Sequence, residues 1–82
     1  MPYIPSSDRQ AIDAMVRPAR LPFLSSGQLN YLITKILLHT EPSSYMDYMA
    51  LVGTLECVKL ELYRRAVARY EDGKKKENGD VY

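Results

Sequence analysis

The feature that most constrains this chain is a long stretch without helix breakers in its second half. From Ser44 to Asp72 the sequence contains no proline and only one glycine, Gly53. Ser43 and Ser44 can each cap the start of a helix, and the charge of Asp47 favours the first turn. The pattern predicts one helix over residues 44–72, about 42 Å long at about 1.5 Å per residue.

Apolar residues occur on several sides of this predicted helix. One stripe contains Leu51, Leu55, Val58 and Leu62, and others contain Met49, Val52, Leu60, Tyr63, Val67 and Tyr70. A helix that is apolar on several sides is buried on several sides. A compact domain of this length has a radius of gyration of about 12 Å, so a helix of about 42 Å would protrude from it. Two shorter helices cannot cover all of its apolar sides. We therefore expect a second copy of the chain to pack along it, and Gly53 would allow close approach.

A short helix is predicted near the N-terminus. Ser7 and Gln10 have the spacing of a reciprocal cap, and Pro18 cannot continue a helix, so we expect helix over residues 7–17. The connector that follows is too apolar for a free loop, and we expect three of its residues to pack under the helices. These residues are Leu21, Phe23 and Leu24.

A middle helix is predicted over residues 26–40. Ser25 and Gln28 repeat the capping pattern, and the residue before Pro42 disfavours α geometry. Apolar residues recur between them at helical spacing. They are Leu29, Leu32, Ile33, Ile36 and Leu37.

These elements predict an all-α fold with a short N-terminal helix, a middle helix and one long C-terminal helix. Residues 1–72 form a single helical domain, and residues 73–82 form a polar C-terminal tail. Domains below about 80 residues usually need disulfides, a metal or oligomerisation. Cys57 and His39 are the only residues of their types, so no intrachain disulfide or Cys/His zinc site can form. We therefore expect a homo-oligomeric helical bundle.

Charge and hydropathy exclude several partners. A net charge of +1 is unlike that of proteins that bind long nucleic acids. No apolar run approaches the roughly 20 residues that span a bilayer, and the N-terminus lacks the pattern of a secretory signal. The single cysteine agrees with a reducing compartment. We expect no membrane and a cytoplasmic location, in the host cytoplasm if a phage encodes the chain.

The chain offers few groups for catalysis. The one possible Cys-His pair joins Cys57, which is more typical of interior packing, to His39 near a helix end. Glu56 and Glu61 are five residues apart and face different directions, whereas a helical magnesium site needs spacings of three or four. We expect no enzyme, metal or cofactor, and a nucleotide hydrolase would require Glu56, Glu61 and Asp72 to converge.

Basic and aromatic residues cluster near the end of the long helix. Arginine binds phosphate with two nitrogens, and tyrosine rings stack on bases, so the cluster suits a small phosphorylated ligand. The other interpretation is a solvated face, because acidic residues lie three or four positions before these cations. Seven tyrosines against one phenylalanine favour a wet binding surface. The predicted ligand contacts are Tyr31, Lys35, Tyr63, Arg64, Arg65, Arg69, Asn78 and Tyr82.

Three motifs resemble a family of small phage and prokaryotic proteins known as a domain of unknown function. The motifs are GQLNY at 27–31, LEC-K-E-YRR at 55–65 and ENGDVY at 77–82. The resemblance covers the chain from Tyr3 onward. It implies that the tail belongs to the family's domain, and it implies no activity.

A second resemblance concerns the end of the long helix. The RAVAR sequence at 65–69, after a shorter helix pair, is similar to the end of helical anti-CBASS phage proteins that act as cyclic-nucleotide sponges. Those proteins are homo-oligomers that bind second messengers between subunits without cleaving them. The resemblance implies a sponge for a cyclic oligonucleotide or ADP-ribose type of messenger, which would counteract host anti-phage defence. The alternative is a helical adaptor that binds another protein through the long helix.

Overall fold

The secondary structure is helical, with no strand within residues 2–82, which the computed structural model describes. Two shorter helices precede a long one, as the sequence predicts. The elements are α1 (Ser6–Val16), a 3₁₀ turn (Leu21–Phe23), α2 (Ser26–Leu38), α3 (Tyr45–Leu62), a π-helical turn (Tyr63–Val67) and α4 (Ala68–Asn78). We call α3, the π turn and α4 together the long helix, because the backbone stays helical through both junctions.

Two of the predicted caps are confirmed. At α2 the backbone N–H of Gln28 donates to Ser25 Oγ at 3.1 Å, and the N–H of Ser25 donates to Gln28 Oε1 at 2.9 Å. At α3 the N–H of Asp47 donates to Ser44 Oγ at 3.1 Å. The backbone N–H groups of Ser43 and Ser44 in turn donate to Asp47 Oδ2, at 3.0 and 3.2 Å, and these bonds lower the pKa of that carboxyl.

The predicted cap of α1 is wrong. The helix begins at Ser6, so Ser7 lies within its first turn, and Pro5 occupies the N-cap position without a side-chain bond. The reason lies in the backbone, because the carbonyl of Pro5 accepts the first helical hydrogen bond, from the N–H of Arg9 at 3.1 Å. A proline at this position needs no donor of its own, since the first helical N–H groups have no partner within the helix.

The helix end predicted at Asp72 is also wrong. Gly73 lies inside α4, and the helix continues to Asn78. A single glycine costs a helix about 1 kcal/mol, which the strong helix formers in the lysine-rich sequence after it offset. The helix stops at Gly79, whose φ of 88° is open to glycine and strained for other residues. Only the last four residues, 79–82, therefore follow the helix.

No residue within 2–82 is buried. The chain divides into two compact units, residues 2–49 and 50–82. In the first unit Leu21 and Leu24 are half-buried, whereas the ring of Phe23 is 79% exposed, so the prediction that it packs under the helices is wrong. In the second unit Cys57 is exposed, so the prediction of an interior packing residue is also wrong for the single chain.

Large apolar side chains are exposed on every helix. None of the helices within residues 2–82 is both long enough and apolar enough to cross a membrane.

Candidate functional site

Three of the predicted ligand contacts lie in the π turn of the long helix. They are Tyr63, Arg64 and Arg65, and Arg69 follows in the first turn of α4. In the π turn the backbone N–H of Ala68 donates to the carbonyl of Tyr63, five residues back instead of four. Single π turns inside α-helices are rare and are often found at functional sites. The arginines therefore lie at the one irregular turn of the long helix.

The three arginines differ in their electrostatic surroundings. Arg64 Nη2 lies 2.7 Å from Glu61 Oε1, and Glu61 is half-buried. Arg65 and Arg69 are exposed, and no carboxylate within residues 2–82 forms an ion pair with either. The solvated-face interpretation thus describes Arg64, as it describes Lys59, whose ammonium lies 3.0 Å from Glu56. Of these three arginines, Arg65 and Arg69 are the two that can meet an external anion without giving up an ion pair observed within residues 2–82.

The predicted contacts on α2 form a local pair. The ammonium of Lys35 lies 5.3 Å from the centre of the Tyr31 ring, within the range of a cation–π interaction. Both side chains are exposed. They belong to the unit of residues 2–49, and the pair offers a cation and an aromatic face on its surface.

The predicted contacts at the C-terminus lie around a small open pocket. Asn78 is the last residue of α4, and Gly79 turns the chain so that Tyr82 also lines this pocket of about 330 Å³. The turn is held by the N–H of Tyr82, which donates to Asp80 Oδ1 at 2.9 Å, and Lys75 Nζ lies 3.9 Å from Asp80 Oδ2. The other lining residues are Glu71, Asp72, Lys74 and Val81.

One chain does not bring the arginines together with Asn78. Asn78 lies nine positions after Arg69 in α4, which corresponds to about 14 Å along the helix axis. Residues 73–78, predicted as part of the tail, are helical and extend away from the arginines. A ligand that contacts both Arg69 and Asn78 would have to span this distance or meet residues of a second subunit.

Lysines near the terminal pocket were not among the predicted contacts. Lys74 lies 3.2 Å from Glu77 and 5.7 Å from the centre of the Tyr70 ring, and Lys75 lines the pocket. The run of three lysines at 74–76 is the signal that could have indicated them, once the helix is known to continue past Gly73. Within residues 2–82 no three His, Cys, Asp or Glu side chains converge to hold a metal ion.

The comparison with protein families identifies the chain. A family model described as a domain of unknown function, DUF6899, matches residues 1–81. The chain belongs to the DUF6899 family. No curated protein and no solved structure matches this DUF6899 chain. The matched range includes most of the ENGDVY motif, so the C-terminal turn is part of the DUF6899 domain, and a phage or prokaryotic source stays a prediction.

Proposed function

We propose that this chain is a non-enzymatic homo-oligomer that sequesters a nucleotide-derived second messenger between its subunits. The observation that carries the proposal is the pair of exposed arginines, Arg65 and Arg69, which form no ion pair within residues 2–82 and lie beside the exposed ring of Tyr63. Guanidinium groups bind phosphate oxygens in pairs, and tyrosine rings stack on bases. The ligand class that fits is a cyclic oligonucleotide or an ADP-ribose derivative.

The need for a second subunit follows from how ligands are enclosed. Ligand sites bury about 70–90% of a small ligand's surface. The arginines project from one exposed helix, and Asn78 at the terminal pocket lies about 14 Å further along the axis than Arg69. A neighbouring subunit would enclose a ligand at the arginines and could contribute its own Tyr31, Lys35 or C-terminal turn.

Sequestration needs affinity and no chemistry. Rigid pockets bind tightly because little conformational entropy is lost on binding. A protein of this kind would lower the free concentration of the messenger and so counteract host anti-phage defence. This biological role is supported by the resemblance of the RAVAR sequence at 65–69 to the sponge proteins.

A panel of cyclic oligonucleotides and ADP-ribose derivatives tests the proposal. Thermal shift and equilibrium dialysis measure binding, and mass spectrometry shows whether the bound ligand is recovered intact. The variant Arg65→Gln/Arg69→Gln is expected to lose binding. Arg9→Gln/Arg17→Gln removes the same charge from exposed positions at α1 and is expected to retain it. No binding by any member of the panel would refute the nucleotide part, and a cleaved ligand would refute sequestration.

A truncation tests the role of the C-terminal turn, and the end of α4 shows where to cut. A cut at Gly73 would remove six helical residues as well, so the informative variant ends at Gly79 and lacks only residues 80–82. Loss of ligand binding with an unchanged oligomer would support a role of the turn in the site.

A helical adaptor is the second candidate. Its supporting observation is the exposed apolar surface of the long helix, including Leu60 and Leu62. It predicts a stable complex with another protein and no affinity for the ligand panel. Purified complexes of defined stoichiometry would favour it over the sponge.

A further inference from the structure

One face of α3 is apolar without a charged residue in it. Its members recur three and four residues apart, the spacing of helices that pair side by side. We call this face the seam, and in α3 it consists of Tyr48, Leu51, Leu55, Val58 and Leu62. Leu51 is half-buried, and the others are exposed, from 39% for Leu55 to 59% for Leu62.

The opposite face is a poorer surface for pairing. It contains Met49, Val52 and Leu60, but Glu56 lies in its middle. The carboxylate of Glu56 is paired with Lys59 at 3.0 Å, and both side chains are largely exposed. Burying that ion pair in an interface carries a desolvation cost that the seam does not have.

The π turn decides which residues continue the seam into α4. In a regular α-helix the spacing of three and four would reach Arg65 and then Arg69, and two cations would lie on the seam. The π turn adds about one residue, so side chains after it are rotated by about 100°. Tyr70 then takes the seam position that Arg69 would have had, and Ala66 precedes it.

The occupant that fits the seam is a second copy of the same helix. The seam residues of α3 other than Leu51 are 39–59% exposed, so apolar surface remains there for a partner to cover. A second copy presents the same uncharged stripe at the same spacing, as helices that pair side by side require. A net charge of +1 leaves little repulsion between copies.

We infer that copies of the chain pair along the seam from Tyr48 to Tyr70, and that the π turn sets this face. The inference rests on the self-association in the proposed function. It places Arg69 at the edge of the interface, within reach of a ligand held between subunits. On the seam itself, the same guanidinium would be desolvated without a counterion, which strongly disfavours pairing.

Two substitutions of neighbouring residues test the inference. Sedimentation equilibrium measures the dissociation constant of the wild type, Tyr70→Glu and Arg69→Glu. Tyr70→Glu is expected to weaken association at least about 100-fold, because it places an unpaired charge on the seam. Arg69→Glu is expected to stay within about fivefold of the wild type, as exposed charges at an interface edge do. Tyr70→Leu keeps the seam apolar and is expected to associate like the wild type.

Three other outcomes would each overturn the inference, and each would show a different fault in it. If Arg69→Glu dissociates the oligomer and Tyr70→Glu does not, the face that pairs is the one that an uninterrupted α-helix would present. The ligand proposal is unaffected by that result. If neither variant weakens association, the seam is not the interface. A wild type that stays monomeric at every concentration refutes the pairing, and the ligand panel then decides separately whether the chain binds a messenger.

Discussion

Replacing Leu62 by alanine is expected to weaken self-association strongly, and the structure supplies a close control. Leu62 is on the seam and 59% exposed, and Leu60 is 58% exposed. The two side chains are of the same type and lie two residues apart, which separates them by about 200° around the helix axis. Leu60→Ala thus changes volume, hydrophobicity and helix propensity equally, and differs only in the face that it alters.

The magnitude follows from the exposed fraction. Complete burial of a leucine is worth about 1.5–3 kcal/mol, so the exposed 59% of Leu62 leaves about 1–2 kcal/mol for pairing to gain in each chain. In a dimer the loss occurs twice and amounts to about 2–3.5 kcal/mol. This corresponds to a dissociation constant roughly 30- to 300-fold higher. Leu60→Ala is expected to change the constant by less than about threefold.

Sedimentation equilibrium over a wide range of protein concentrations measures both constants, and far-UV circular dichroism reports the helix content of each variant. Equal weakening by Leu60→Ala and Leu62→Ala would show that both faces are covered, as in a larger bundle. Weakening by Leu60→Ala alone would refute the choice of face. An unchanged constant for Leu62→Ala would refute the pairing of copies along the seam.

Four further predictions concern the caps and the glycines. Gly73→Ala is expected to raise the free energy of unfolding by about 0.5–1 kcal/mol, and with it the melting temperature, because a Cβ there meets no atom within 4 Å. Gly79→Ala, at a φ of +88°, is expected to cost about 1–3 kcal/mol and to disorder the C-terminal turn, as thermal melts and NMR of the last residues would show. Ser25→Ala is expected to cost about 1 kcal/mol in chemical denaturation, whereas Ser26→Ala, outside the capping box, should change stability little. Because backbone hydrogen bonds hold the pKa of the Asp47 carboxyl below 3.8, its charge contributes to the stability of the folded chain above that pH. This contribution is lost as the pH falls through the pKa that the carboxyl has in the folded state. The wild type is therefore expected to melt at a higher temperature than Asp47→Asn at neutral pH, and this difference should shrink in acid. A difference that does not change with pH would contradict the prediction.

The sequence predicted those parts of the fold that depend on nearby residues. The caps at Ser25 and Ser44 are confirmed, because each needs only a hydroxyl and a partner three residues on. The end of the long helix predicted at Asp72 is wrong because the helix accommodates Gly73 in its interior. A glycine inside a helix is a moderate cost, whereas Gly79 ends the helix because its backbone adopts a positive φ.

The π turn could not be predicted from the residues that form it. Its sequence, YRRAV, contains ordinary helix formers and no proline or glycine. Sequence spacing therefore gave no information on the face that each arginine occupies after the turn. It also placed Asn78 in a polar tail, whereas Asn78 is the last residue of the helix.

The absence of a buried residue within 2–82 has a consequence for how the protein behaves at different abundances. If copies pair as proposed, association stabilises the folded chain, and its melting temperature should rise with concentration by mass action. Newly made chains at low copy number would be largely open to proteases. Accumulation would then depend steeply on the rate of synthesis, and the protein would persist only in cells that produce it in bulk.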